Sequence, residues 1–354
     1  MGIRFGGWLR CLHQNRYKVD STYMLRAGVI SLMSVLNSAT CAIDRAIYGK
    51  QLRAGKVKAP VFIVGHWRTG TTHLHQLLSQ DSQFVVPNLV QTIFPESFLV
   101  VEPLVRFAIR PFLPETRLID NMPFTVETPQ EDEFALAVMC RLSPYLAYSF
   151  PRNWDAYDRY ISIENACASE QKAWADSLQK FISRIVLKSS KTALLKSPLH
   201  TARIRSLVAM YPTAKFIHIS RHPYEVFQST RHMLSIGPPM AQLQVFDFKS
   251  LDETILRRFH IILSCYLDQR TVIPQGNLHE LRFEDLQERP FDHLKEAYDR
   301  LGLSGFDDSW PRMERYLESI KDYAKTAHPA LDESTRASIA ERLSLYFTEF
   351  GYQA

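Results

Sequence analysis

The chain has 354 residues, 46% hydrophobic and 22% charged, and 42 basic against 37 acidic residues give a formal charge of +5. Those totals suit a globular protein with an ample core, and so small and scattered an excess speaks against nucleic acid as a partner while suiting an anionic cofactor in a local pocket. Five cysteines, Cys11, Cys41, Cys140, Cys167 and Cys265, stand far apart without CxxC or His-flanked spacing, which points to a reducing, cytoplasmic setting and away from a zinc site.

Residues 1–55 read as a helical N-terminal extension. Ala27–Ile43 has about the minimum length for a membrane span. It carries serines, Asn37 and Thr40 and lies between Arg26 and Asp44, so it is not a convincing one. Arg4, Arg10, Arg16 and Lys18 are spread through the preceding residues, unlike a signal peptide. Two readings stay open. The helix packs on a catalytic domain, or it lies at a membrane interface, helped by Trp8, Tyr17, Tyr23 and the cationic region. The stretch KQLRAGKVKAP then serves as a linker into an α/β domain over 56–354.

Val61–Val64 is a short apolar run that predicts a buried strand. Gly65 and Gly70 bracket four residues, and Leu74, Leu77 and Leu78 follow at helical spacing. Strand, glycine turn and helix is the layout of a phosphate-binding loop. Thr71 stands where such a loop in a kinase carries its lysine, so a triphosphate would be poorly compensated. Arg68, the hydroxyls of Thr69, Thr71 and Thr72, and the loop N–H groups fit a less highly charged 5′-group. The competing reading is a glycine turn that merely starts a helix.

A proline-punctuated insertion, Pro87–Pro129, contains SFLVVEPLVRFAIRPFLP and is expected to cover a substrate cleft. Trp67, Phe94, Phe98, Phe107 and Phe112 either line an apolar acceptor pocket or belong to the core. QEDEFALAVMCRL after Pro129 reads as a helix with acids in its first turn.

Thr192–Lys196 predicts a strand, followed by a helix from Ser197–Pro198 to about Met210. Ala214–Ser220 predicts another strand, and Arg221-His222-Pro223 turns into the helix YEVFQSTRHML. This alternation predicts a parallel sheet with covering helices. Ligands collect beyond the C-terminal ends of such strands, so Arg221 with Ser229, eight residues on, would make a second anion site. NLHELRF predicts a further strand, FDHLKEAYDRL a helix, and STRASIAERLSLYFTEFGY a terminal amphipathic helix.

At these residues the chain resembles the PAPS-dependent sulfotransferases. Arg68-Thr69-Gly70-Thr71-Thr72 matches their 5′-phosphosulfate loop, and Arg221, Pro223 and Ser229 match the spacing of their 3′-phosphate signature. Lys196 resembles a strand-end lysine of several branches, and RFEDLQERP resembles a segment of bacterial, glycan-type and tyrosyl-protein members. The Arg-Lys-Gly loop of cytosolic phenol and steroid enzymes is absent, which places the resemblance nearer the bacterial branch. His73 stands where Trp or Leu is more usual.

The resemblance implies a P-loop-type parallel β-sheet flanked by helices. It implies PAPS as co-substrate, held by Arg68, Thr69, Gly70, Thr71, Thr72, His73, Arg221 and Ser229, with no metal. The reaction would move a sulfuryl group to an acceptor hydroxyl, with Arg68 and Lys196 stabilising the leaving oxygen. The base in this family is usually His or Glu. Glu131 and Glu133 rank ahead of His200, with Asp132, His66 and Glu127 as further candidates and helix-dipole complementation as the plain explanation for some of the acids. Glu284 and Asp285 would organise the nucleotide loop. Lipid, glycan or small hydroxylated acceptors remain open; the apolar insertion favours a hydrophobic alcohol, with peripheral membrane contact. The rival readings are a P-loop kinase or nucleotide-binding protein, and an inactive membrane-associated binding protein of the same fold.

Overall fold

Five strands, β1 (Val61–Val64), β2 (Phe84–Val85), β3 (Thr192–Lys196), β4 (Lys215–Ser220) and β5 (Leu278–Arg282), form one sheet in the order β2-β3-β1-β4-β5. Every pairing is parallel. The computed structural model describes residues 2–55, 57–117, 122–237, 241–245, 251–321 and 329–354. Lys56 of the linker and residues 118–121 of the insertion therefore lie outside the described residues. Alternation along the strands divides the core. Phe62, Val64, Leu195 and Phe216 point to one face, and Val61, Ile63, Leu194, Ile217 and Ile219 to the other, where they meet Leu74, Leu77 and Leu78. Burial on both faces explains why β1 is apolar throughout.

Because β1 lies between β3 and β4, the chain leaves its neighbours in opposite directions, which opens a crevice at the C-terminal strand ends. The loops after β1, β3 and β4 all enter that crevice. The short β2 has no counterpart among the sequence expectations. The helix expected from Ser197 is two pieces, a 3₁₀ turn Pro198–Ala202 and an α-helix Ile204–Met210. Arg203 breaks it by turning its guanidinium inward, where Nε bonds the Ile161 carbonyl at 3.1 Å. The terminal helix is likewise divided, into Glu333–Arg342 and Ser344–Glu349.

The N-terminal residues form α1 (Phe5–Gln14) and α2 (Met24–Ala54). Trp8, Cys11, Ala27 and Ile30 join the same core cluster as Phe62 and Val64. On the inner side of α2, Asn37 donates to the Gly2 carbonyl and accepts from Ser97 Oγ at 2.8 Å. Asp44, fully buried, pairs with Arg184 in the helix Ala168–Ile185; burial still pushes its carboxyl up. The outer side of α2 is apolar and open, with Leu25 83% exposed. By length and composition α2 could cross a membrane; in the fold one side of it is packed on the body.

The insertion supplies α3's successors α4 (Leu89–Ile93) and α5 (Phe98–Ile109), where α3 is Thr71–Leu78. Phe98 is buried beneath the Arg184 guanidinium. Phe107 and Phe112 are 83% and 86% exposed, so these two stand on the surface and do not line a pocket. The next helix, α6 (Asp132–Met139), begins with Glu131 at its N-cap; Pro129 lies before the helix and not in its first turn.

Candidate active site

The loop after β1 is shaped by its backbone. Gly65 has φ +146, and a Cβ there would lie 2.5 Å from the Ile219 carbonyl oxygen. Its N–H donates to Thr201 Oγ1 at 2.7 Å, and the Thr201 hydroxyl returns a bond to the Gly65 carbonyl at 3.2 Å. Gly70 has φ +97 and a Cβ would come within 2.3 Å of the Phe283 ring, so glycine is required twice over. The first-turn N–H groups of α3 have no intrahelical acceptors and make an anion cradle.

Arg68, Gly70, Thr71, Thr72 and His73 border a groove of about 440 Å³, and Arg221 and Ser229 border it too. Thr69 differs. It is fully buried and its hydroxyl donates to the His66 carbonyl at 2.8 Å, so its side chain braces the turn and does not face the groove. Arg68, itself in the left-handed region at φ +69, donates from Nε to Ser229 Oγ at 2.8 Å. Arg221 Nη1 reaches the Arg68 carbonyl at 3.3 Å. The two anion motifs, far apart in sequence, thus share one groove.

Arg221 is seated by its surroundings. Its backbone exchanges bonds with the Tyr346 hydroxyl, its guanidinium lies 4.8 Å over the Phe283 ring, and burial holds its pKa down. Glu284 accepts from the His222 N–H at 2.9 Å and from the Tyr352 hydroxyl at 2.9 Å, which fastens the loop after β5 to the loop after β4. Arg68, Arg221 and Lys321 border the groove with Glu225 as its one carboxylate among the described residues. Guanidinium groups, hydroxyls and helix N–H donors fit a ligand with separate phosphate groups.

Beside Thr72 lies a second constellation. Lys196, at the end of β3, donates from Nζ to Thr72 Oγ1 at 3.3 Å and to Glu131 Oε1 at 2.5 Å. Glu131 Oε2 accepts from the Tyr145 hydroxyl, which in turn accepts from Trp67 Nε1 at 2.9 Å. Burial pushes the Lys196 amine down, opposed by Glu131, while burial and Glu131 push the Tyr145 phenol well up. The phenol therefore stays a hydrogen-bond donor. Tyr145 and Trp67 were not foreseen as partners of Glu131: nothing in RLSPYLAYSF marks a site, and only the fold brings it near.

The other proposed bases are placed elsewhere. Glu133 is fully buried and bonded to Arg203 Nη1 at 2.7 Å, so it is a core ion pair and not a cleft carboxylate. His200 is fully buried, its Nε2 2.7 Å from Asp132 Oδ2 and its ring packed edge-on to Phe62; it too is away from the groove. His66 stacks on Phe259 with centroids 4.1 Å apart, and burial pushes its pKa down to about 3. Glu127 is an exposed partner of Arg106. Among the described residues no group of three or more His, Cys, Asp or Glu is arranged to hold a metal.

A profile described as "Sulfotransferase family" matches residues 60–308, from the start of β1 past β5. The omega-hydroxy-beta-dihydromenaquinone-9 sulfotransferase Stf3 of Mycobacterium bovis, and that of Mycobacterium tuberculosis, are each 33% identical over 356 residues, spanning 99% of this chain and 90% of the relative. Among solved structures, sulfotransferase STF9 from Mycobacterium avium superposes with a TM-score of 0.68 over 100% of this chain and 98% of that one. STF1 from Mycobacterium tuberculosis H37Rv gives 0.64 over 96% and 91%. Both are 16% identical and speak for the fold alone. The curated relatives and the profile carry more, and they leave the kinase-like and inactive-protein readings unsupported. On a match that runs through the loop after β1 and both strands flanking it, the chain belongs to the sulfotransferase family and is an enzyme that moves a sulfuryl group from PAPS to an acceptor hydroxyl.

Proposed function

We propose that the acceptor is the hydroxyl of a hydrophobic, lipid-like alcohol and that Glu131 is the base that takes its proton. The observation carrying this is the Glu131 carboxylate, held between the Lys196 ammonium and the Tyr145 hydroxyl beside Thr72 of the phosphate loop. The two donors fix how the carboxylate is oriented beside the loop, and a base must be held within reach of the proton it takes. PAPS supplies the sulfuryl group and departs as adenosine 3′,5′-bisphosphate. Thr71, Thr72 and the α3 N–H groups hold the 5′-phosphate, and Arg221 with Ser229 holds the 3′-phosphate. Lys196 and Arg68 stabilise charge on the departing oxygen, as positioned cations do in group transfer between oxygens.

A hydrophobic acceptor is supported by the activity of the 33%-identical relatives, which act on a hydroxylated menaquinone derivative. Met122 of the insertion, which borders the groove, adds an apolar edge. The same reading makes residues 1–55 a membrane-facing extension on a cytoplasmic enzyme, in peripheral contact through the outer side of α2.

The test is Glu131→Gln assayed with a hydroxylated isoprenoid and with soluble sugars. The expected result is a loss of about 10²–10⁴ in kcat with adenosine 3′,5′-bisphosphate binding unchanged, and turnover of the isoprenoid alone. Retained kcat would remove Glu131 as base, and equal turnover of sugars would remove the hydrophobic acceptor.

A further inference from the structure

Four arginines gather far from the PAPS groove. Arg4, Arg10, Arg45 and Arg141 border a second groove of about 360 Å³ formed by α1, α2 and the end of α6. Glu96 is the carboxylate that borders it among the described residues, and it is paired with Arg4 Nε at 2.8 Å. Four guanidinium groups against one carboxylate leave three positive charges in excess. Such a concentration is unfavourable to the protein alone and favourable to a bound anion.

The local structure is bent to build this groove. Arg141 sits in the left-handed region at φ +64, a conformation uncommon outside glycine and concentrated at functional sites. Among the described residues its Nε is buried with no hydrogen-bond partner, and its Nη1 makes a long contact, 3.4 Å, to the Met139 carbonyl. Gly6 and Gly7 interrupt the first turn of α1, where glycine weakens a helix. A Cβ on Gly7 would lie 3.3 Å from Arg141 Nη1, so that guanidinium lies close against the bare backbone of α1.

Next to the groove runs the open apolar side of α2. Leu25, Leu32, Leu36, Ile43 and Ile47, spaced by seven and four residues, are exposed along one side of α2, and Phe5 and Leu9 of α1 are exposed as well. Ser38, Ala42 and Arg45 of the same helix border the groove, so the cationic groove flanks the apolar ridge. A soluble phosphate would need the arginines and not the ridge. A lipid surface uses both, with apolar side chains at the acyl boundary and guanidinium forks on head-group phosphate.

We propose that the groove between α1 and α2 binds the phosphate of an anionic lipid head group and fixes how the enzyme sits on the bilayer. This rests on the reading of residues 1–55 as membrane-facing. The site lies apart from the PAPS groove, so neither Arg10 nor Arg45 touches the transfer chemistry.

The experiment measures partitioning of the full chain onto phosphatidylcholine vesicles with and without phosphatidylglycerol, at fixed salt. Wild type is expected to prefer the anionic vesicles. Each arginine near such a surface contributes about fivefold, so Arg10→Ala/Arg45→Ala is expected to lose about 25-fold on anionic vesicles with adenosine 3′,5′-bisphosphate binding unchanged. Leu32→Ser/Leu36→Ser is expected to weaken binding to both kinds of vesicle. Undiminished anionic preference in the arginine variant overturns the head-group site and leaves the membrane reading standing. Wild type binding neither vesicle overturns both. Glycerol phosphate binding in solution as tightly as the vesicles do, and lost in the arginine variant, overturns the lipid assignment in favour of a soluble phosphate.

Discussion

The two halves of the active site are built by different means. The phosphate loop is made of main chain: two glycines at positive φ, the first turn of α3, and hydroxyls within five residues of one another. The constellation around Glu131 is made of side chains from four separate segments, Trp67, Glu131, Tyr145 and Lys196. A main-chain site is specified by local conformational requirements, which leave a mark in the sequence. A side-chain site is specified by where the fold brings its members, so Glu131 and Lys196 can be singled out one by one while their partnership and Tyr145 leave no mark. The two halves should also fail differently, the loop through strain and burial, the acid–base side through lost charge or a lost hydrogen bond.

The largest expected effect is on the loop side and comes from acid. His66, at the loop, His75, in α3, and His218, in β4, are each fully buried, and burial pushes each pKa from 6.5 down to about 3. Folded, these rings stay neutral well below pH 6.5, whereas unfolded they take up protons at their ordinary value. The unfolded chain then binds more protons, so stability falls as pH falls from about 6.5 towards 3. At pH 5 each ring contributes about 2 kcal/mol of destabilisation. Urea midpoints at pH 7 and pH 5 check this, and a flat profile would mean the rings are not held neutral.

Next in size is the contrast between the two neighbouring glutamates. Glu133→Gln leaves Arg203 buried opposite a neutral group and is expected to destabilise by about 3–5 kcal/mol, read as a fall in the urea midpoint. Glu131→Gln leaves Lys196, 3% exposed, opposite a neutral group as well, but Glu131 itself is 16% exposed and glutamine can still bond the amine, so a smaller fall, about 1–2 kcal/mol, is expected. Equal destabilisation by both would dissolve the distinction between the fully buried pair and the partly exposed one.

Gly70→Ala follows, at about 2–3 kcal/mol, from the strained φ and the close approach of Phe283. Phe283 is itself a core ring and Phe283→Ala destabilises on its own, so the comparison is a double-mutant cycle: in the Phe283→Ala background the cost of Gly70→Ala should shrink but not vanish, by thermal unfolding with and without adenosine 3′,5′-bisphosphate. A cost that vanishes there would mean that the backbone conformation costs little.

Which parts were legible follows from the same contrast. β1 and β4 fall where apolar, β-branched runs placed them, because a strand buried on both faces leaves little choice of residue, whereas β3 (TALLK) and the half-exposed β5 (LHELR) lie where expected on weaker patterns. β2 has only two residues and gives no run to read. The glycines and threonines of the loop stood out locally, although Thr69 braces the turn from inside. Glu131, Asp132 and Glu133 could not be told apart by spacing. Their partners Lys196, His200 and Arg203 lie 65, 68 and 70 residues away, and the inward turn of Arg203 changes the phase of the segment carrying two of them. The exposed Phe107 and Phe112 misled because an apolar run looks the same whether it covers a pocket or faces outward.

Arg221→Ala sharpens the loop side without touching its glycines. A charge-assisted bond is worth about 1.5–3 kcal/mol, so adenosine 3′,5′-bisphosphate should bind roughly 10- to 100-fold more weakly by calorimetry. The fold should hold, because among the described residues the guanidinium is bonded to the Arg68 carbonyl and to an exposed Glu225 and not to another buried charge. Unchanged affinity would separate Arg221 from the nucleotide.

The smallest effect probes the side-chain half alone. Tyr145→Phe keeps the ring stacked on Tyr148 and removes only the hydroxyl between Trp67 and Glu131. Lys196 still holds one carboxylate oxygen, so Glu131 stays in place but is less firmly oriented. The expected loss in kcat is about tenfold, the scale of one hydrogen bond. A tyrosine that orients the base lowers kcat while the urea midpoint and adenosine 3′,5′-bisphosphate binding hold, whereas a merely structural tyrosine would lower the midpoint and spare kcat. If instead kcat is unmoved and adenosine 3′,5′-bisphosphate binding weakens, Tyr145 belongs to the loop side, and the division of the site into two halves fails at Trp67, the residue that joins them.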